Sequence, residues 1–193
     1  MAGSYDDFLT AIKRDHRHTI EALLQRGFDP NSVDETGQPG IIAALLNESY
    51  EVADALASSD RLQLEAVNQS GETALMMASL RGQVALVQRL LQRGAAVNRP
   101  GWSPLHYAAA APDDAPMKLL LARGAAVDAR APNGTTPLML AADSGSSACV
   151  DLLLAAGARA DLKNDLGLTA ADVARQRGRD RLADQLGRRA APP

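Results

Sequence analysis

The chain has 193 residues and carries 20 lysines and arginines against 23 aspartates and glutamates, a net charge of −3. That near-balance implies no strong pull toward nucleic acid or an anionic membrane surface, and no apolar run reaches the ~18 residues of a membrane-spanning helix. Hydrophobic residues make up 46% of the chain but aromatic ones only 3%, so alanine and leucine must fill the core, which suits short helices packed closely. The single cysteine, Cys149, rules out an internal disulfide.

In chain order, residues 1–5 precede the first amphipathic pattern, and the small residues Ala2-Gly3-Ser4 fit a leader remnant or a tag. Residues 6–30 predict two short helices. Phe8 and Ala11 mark the first; Ile20, Leu23 and Leu24 mark the second, which stops at Gly27. Asp6, Asp7, Lys13 and Arg14 give the first helix a solvated outer face, as the end of a stack needs. Residues 31–64 open with Asn31-x-x-Asp34-x-x-Gly37, a turn with suitable Asp and Gly chemistry, followed by Pro39, Ile41 and Ala44. Glu48 and Asp60 stand where glycines are wanted, and the second helix, Val52 to Ala57, is short. This is the segment expected to be least regular and most mobile.

Residues 65–97 return to pattern with Asn68, Gly71 and Gly82. In residues 98–127, Asn98 reaches Ser103 in five residues, whereas Asp128 reaches Thr136 and Asp161 reaches Thr169 in eight, so three turn residues are missing. Pro112 replaces the glycine seen at Gly82 and Gly145; Asp113 can cap the next helix, with Pro116 in its first turn. Residues 128–160 are the most regular. Residues 161–187 carry Arg175, Arg177, Arg179 and Arg181 among Val173, Leu182 and Leu186, which reads as a polar outer cap. Residues 188–193 are expected to be a flexible tail.

One pattern recurs through this series. Ser103-Pro104-Leu105-His106-Tyr107-Ala108-Ala109 has counterparts beginning at Thr73, Thr136 and Thr169, at spacings of 30, 33 and 33 residues. Ser or Thr suits the N-cap, where its hydroxyl accepts an orphan N–H. Proline suits the first helical position, where its missing N–H costs nothing. A second apolar helix follows and ends at Gly94, Gly124 or Gly157, where a left-handed residue is wanted.

A period near 33 carrying T-P-L-H-x-A resembles the ankyrin repeat, in its small bacterial form. The resemblance extends over residues 6–187. It is strongest over 65–178 and departs at Asp15, Glu48, Asp60 and Pro112, where the pattern has glycine. It implies an all-α fold, an α-solenoid of about six ankyrin repeats built of helix-turn-helix pairs with β-turn fingers, at about 6–30, 31–64, 65–97, 98–127, 128–160 and 161–187.

The resemblance also implies a non-catalytic module that binds a protein partner through its concave face and finger tips. Mapped position by position, that surface includes Leu46, Glu72, Met77, Leu80, Arg81, Trp102, Tyr107, Arg130, Asp143 and Ser144. Trp102 has two readings, a partner contact or a filler for the space of the missing turn residues. His106, at the H of the motif, is implied to tether neighbouring loops.

A second function reading is an exported stabiliser or inhibitor of a bacterial enzyme, periplasmic if a leader has been removed and otherwise cytoplasmic. A third is a metal- or thiol-dependent enzyme using His16, His18 or Cys149. Against it, the two histidines lack a third ligand nearby, and Cys149 takes the apolar place of Leu86 with no charged activator beside it. The chain contains no phosphate-binding loop, nucleophile elbow or H-E-x-x-H. The expectation is a monomer with no cofactor, no metal, no nucleic-acid partner and no membrane insertion.

Overall fold

Thr73 shows how the recurring motif starts a helix. Its Oγ1 accepts the Met76 N–H at 3.3 Å, while Met76 Sδ accepts the Thr73 N–H at 3.4 Å. Thr136 and Met139 repeat this exchange, and Thr169 and Asp172 make it with a carboxylate. At Ser103 the His106 ring takes the role, its Nδ1 accepting the Ser103 N–H at 3.2 Å. Two orphan donors are thus satisfied by a residue pair three apart.

The computed structural model describes residues 2–144 and 146–190, and the chain divides into two units, Met1–Ala96 and Val97–Pro193. The first unit holds α1 (Ala2–Arg14) and α2 (Arg17–Gln25), α3 (Gly40–Leu46) and α4 (Tyr50–Ala57), and α5 (Ala74–Leu80) and α6 (Val84–Gln92). The second holds α7 (Pro104–Ala110) and α8 (Ala115–Ala122), α9 (Pro137–Ser144) and α10 (Ser147–Ala155), and α11 (Ala170–Gln176) and α12 (Asp180–Ala190). The fold is all-α, made of repeated helix pairs with no sheet among the described residues; isolated bridges at Val33–Pro39 and Val67–Thr73 close the bases of two fingers.

Within each unit the first helices stack on one another, α1 on α3 on α5, and α7 on α9 on α11. Helices of seven to nine residues do not hold alone in water. Burial of stripes such as Ile41, Leu45 and Leu56 in the first unit, and Leu105, Leu120 and Leu153 in the second, supplies the stability.

Two expectations need correction, and α1 begins earlier than residue 6. Residues 2–5 form its start. The Tyr5 hydroxyl donates to Val33 O at 2.8 Å, and the rings of Tyr5, Phe8 and Phe28 cluster, which carries the helix back past residue 6. Residues 188–190 lie within α12, anchored by the buried Ala183 and Leu186 one turn and more before them. Met1, Gly145 and residues 191–193 are outside the described residues.

The second correction concerns the regularity of residues 31–64. α4 is a regular helix whose Val52, Ala53, Ala55, Leu56 and Ala57 are fully buried. Its missing glycines are compensated by neighbours. Asp15 and Glu48 adopt positive φ, 53° and 60°, despite their side chains. Asp15 then turns its carboxylate onto the start of α4, accepting the Val52 N–H at 2.9 Å and the Glu51 N–H at 3.4 Å. At the other end, Arg93 donates to Ala57 O at 2.7 Å, so the helix closes without a left-handed residue. Asp54 lies between Arg17 (2.9 Å) and Arg89 (2.8 Å), tying α2, α4 and α6 together. Asp15→Ala is expected to cost about 1–2 kcal/mol through the lost cap, and Asp15→Asn much less; urea titration of both variants checks this.

A second device recurs in the loops. Asn31 Oδ1 accepts the Gln63 N–H (2.7 Å), Glu65 Oε1 the Ala96 N–H (2.8 Å), Asn98 Oδ1 the Ala126 N–H (2.7 Å) and Asp128 Oδ1 the Arg159 N–H (3.0 Å). Each side chain, at the start of its repeat, pairs a loop amide near the end of that repeat.

Candidate functional site

The expected partner-contact residues fall in both units. In the first, Leu46 and Leu80 are the last residues of α3 and α5, at equivalent places in successive repeats. Leu46 is 40% exposed and Leu80 half-buried. Beside them Arg81 Nη1 stands 3.7 Å from Glu48 Oε1, while Arg81 Nε is buried with no acceptor among the described residues. Glu72 accepts a bond from Asn68 Nδ2 at 2.7 Å, so it helps shape its finger. Met77 departs from expectation: at 3% exposed it is part of the core. Position counting places it on the open face, but α5 is buried on every side from Ala74 to Ser79.

Leu46 also borders a groove with Leu9, Ile12 and Ala43 as its floor. Lys13 stands on one rim and Asp34, Glu35 and Thr36 on the other, around an open volume of about 350 Å³. Asp34 braces the finger. Asp34 Oδ1 accepts the Thr36 N–H (2.8 Å), the Thr36 hydroxyl (2.7 Å) and the Gln38 N–H (3.0 Å). Burial alone would raise the Asp34 pKa, but these bonds outweigh it and hold the carboxyl below its ordinary range.

In the second unit, Trp102 is half-buried with its ring 5.3 Å from that of His106, edge to face. It therefore packs over the histidine while keeping part of its surface open. Tyr107 is half-buried on α7. Arg130 is exposed but donates to Lys163 O at 2.8 Å, linking two fingers. Asp143 receives two bonds from Arg177, Nε at 2.7 Å and Nη2 at 3.1 Å. Ser144 Oγ donates to Ala141 O at 3.0 Å.

The arginines of the last repeat are more than a solvated cap. Arg179 donates to the carbonyls of Ala142 (3.2 Å), Asp143 and Ser144 (3.1 Å), placing its charge on the C-terminal end of α9. Sequence spacing carried no sign of this contact, because its partners lie more than 30 residues away. Arg179→Ala is expected to cost about 1–2 kcal/mol of stability, and Arg177→Ala little, since water screens its exposed pair. Denaturant midpoints of the two variants separate these roles.

His106 Nε2 lies 3.1 Å from Thr135 O, and Ser103 Oγ lies 2.9 Å from Nδ1. With Nδ1 accepting the Ser103 N–H, the ring is assigned as the neutral Nε2–H tautomer. Burial pushes its pKa below the ordinary histidine value, and the backbone bonds to Thr135 and Ala129 offset this only in part. Its role is to tie α7 to the next finger.

His16 and His18 are exposed, and no group of three His, Cys, Asp or Glu suited to a metal ion occurs among the described residues. Cys149 is fully buried, and burial pushes its thiol pKa up. A buried thiol of this kind is a poor nucleophile. No described helix is long and apolar enough to cross a membrane.

Comparison with known proteins agrees with this architecture. A family model described as ankyrin repeats (3 copies) matches residues 8–100, 42–131, 84–165 and 105–188 in overlapping registers. The chain belongs to the ankyrin-repeat family. It is 31% identical over 134 residues to ankyrin repeat and SAM domain-containing protein 6 of Rattus norvegicus, a match covering 67% of this chain and 15% of that relative. Ankyrin repeats serve generally as protein–protein interaction modules.

Proposed function

We propose that this protein is a monomeric, non-catalytic module that holds a protein partner through Leu46, Leu80 and Arg81 in the first unit and Trp102 and Tyr107 in the second. Glu72, Arg130, Asp143 and Ser144 set the shape and polarity around those contacts. The observation that carries this reading is the pair Leu46 and Leu80. Each ends the first helix of its repeat and keeps apolar surface open beside a charged neighbour. Arg81, Trp102 and Tyr107 are of the residue types that dominate the energetics of protein interfaces.

The experiment is affinity capture from the native host with wild-type protein, Leu80→Asp and Trp102→Ala. Capture of one protein by wild type, lost in Leu80→Asp while helical circular dichroism and melting temperature are kept, supports the reading. Equal capture by all three contradicts it.

A further inference from the structure

The fold leaves the charge of the first unit unevenly used. Met1–Ala96 contains eight lysines and arginines against thirteen aspartates and glutamates. Its arginines are largely committed: Arg17 and Arg89 to Asp54, Arg61 to Phe28 O, Arg93 to Ala57 O, and Arg81 near Glu48. The finger residue Glu35 is exposed and makes no ion pair among the described residues. Beside it, Asp34 stays ionised because Thr36 and Gln38 donate to it. Two of the unit's carboxylates are thus displayed at one finger, on the rim of an apolar groove.

We infer that the groove between α1, α3 and the finger Asp34–Gly37 takes a basic–apolar segment of a protein partner. One aliphatic or aromatic side chain seats on Leu9, Ile12, Ala43 and Leu46, and an adjacent lysine or arginine meets Glu35 and Asp34. This rests on the protein-binding reading above and specifies the partner's chemistry at one place. The open volume, about 350 Å³, matches the small end of ligand pockets, enough for one large side chain or two smaller ones. Lys13 sets the direction. It repels a cation on the α1 rim, so the partner's positive charge points to the finger. The bonds around Asp34 leave the finger less freedom to lose on binding.

The test is a phage-displayed library of random short peptides selected on the immobilised full chain, followed by affinity measurements on the enriched peptides. The expected winners place Leu, Ile, Met or Phe next to Lys or Arg. Their binding weakens with salt, and Leu46→Asp and Glu35→Lys each lower it by about tenfold or more, with unchanged circular dichroism. Winners without a basic residue, winners indifferent to both substitutions, or no enriched sequence at all would overturn the inference. If the winners are lost instead in Leu80→Asp or Trp102→Ala, the module reading stands and this groove assignment fails. Concentration-dependent sedimentation of the protein alone, abolished by Leu46→Asp, would make a second copy the occupant and overturn it as well.

Discussion

Leu120→Ala is expected to lower the unfolding free energy of the second unit by about 2–5 kcal/mol. Leu120 is fully buried on α8, which packs against α7. Its own carbonyl also closes the helix, accepting the Arg123 N–H at 3.0 Å and the Ala125 N–H at 3.1 Å. Truncation removes the side chain's burial and leaves a void that its neighbours fill only in part. An eight-residue helix has no further stripe on which to fall back. Leu119→Ala, at the half-buried neighbouring position, is the control and should cost clearly less. Urea unfolding followed by circular dichroism decides it; equal losses for the two variants would contradict the stacking described here.

His106 gives the second large effect. His106→Ala leaves the Ser103 N–H and Thr135 carbonyl without their partner in a buried place, at a cost of about 2–4 kcal/mol. The same contacts predict acid sensitivity. The folded state holds the ring's pKa below its ordinary value, so the unfolded chain binds a proton that the folded chain refuses. Stability from this group is complete above the ordinary histidine pKa, about 6.5. It is lost as pH falls from there through the lower folded value, at no more than about 1.4 kcal/mol per pH unit.

Carboxylates act in a lower window. Asp172 is held down by the Thr169 N–H and hydroxyl, so its contribution fades only below the ordinary carboxylate range, about 4. Urea midpoints between pH 7.5 and 5 should therefore fall in the wild type, with a shallower slope in His106→Ala. Parallel slopes would show that the ring is not held neutral. Trp102, edge-on to His106, offers a fluorescence signal for the same local event.

Much of this fold was legible because a repeat writes its local chemistry into every copy. The Thr or Ser that caps, the proline that follows and the glycine that ends the second helix are local requirements, visible at fixed spacing. Asp113 stands one residue before the cap position, which Asp114 takes, and accepts the Ala115 N–H at 3.0 Å. What stayed hidden are contacts between copies. Asp15 looked like a defect because glycine was expected there. Only the fold shows its carboxylate meeting the start of α4, 36 and 37 residues away. Arg179 looked like surface charge because its three acceptors are backbone atoms, which no residue type announces. The loop ladder had a trace in the recurrence of Asn31, Asn98 and Asp128, but spacing does not tell which amide each one reaches.

The candidate site was less legible than the fold. Met77 illustrates the reason: six of the seven residues of α5 are buried, so counting positions around the helix does not separate a packed place from an open one. Leu46 and Leu80 were reachable because they end their helices, where one face must stay open. The groove over Leu9 and Ile12 was missed, since it needs α1, α3 and a finger together and no single repeat contains all three.

On this reading the open helix-end face grips a protein while the opposite helices serve only the stack. A photo-crosslinking amino acid placed at Leu80, and separately at the exposed Gln88 of α6, tests it in the native host. A discrete protein adduct is expected from position 80 and none from position 88. Adducts of equal yield from both positions, or none from position 80, would contradict it.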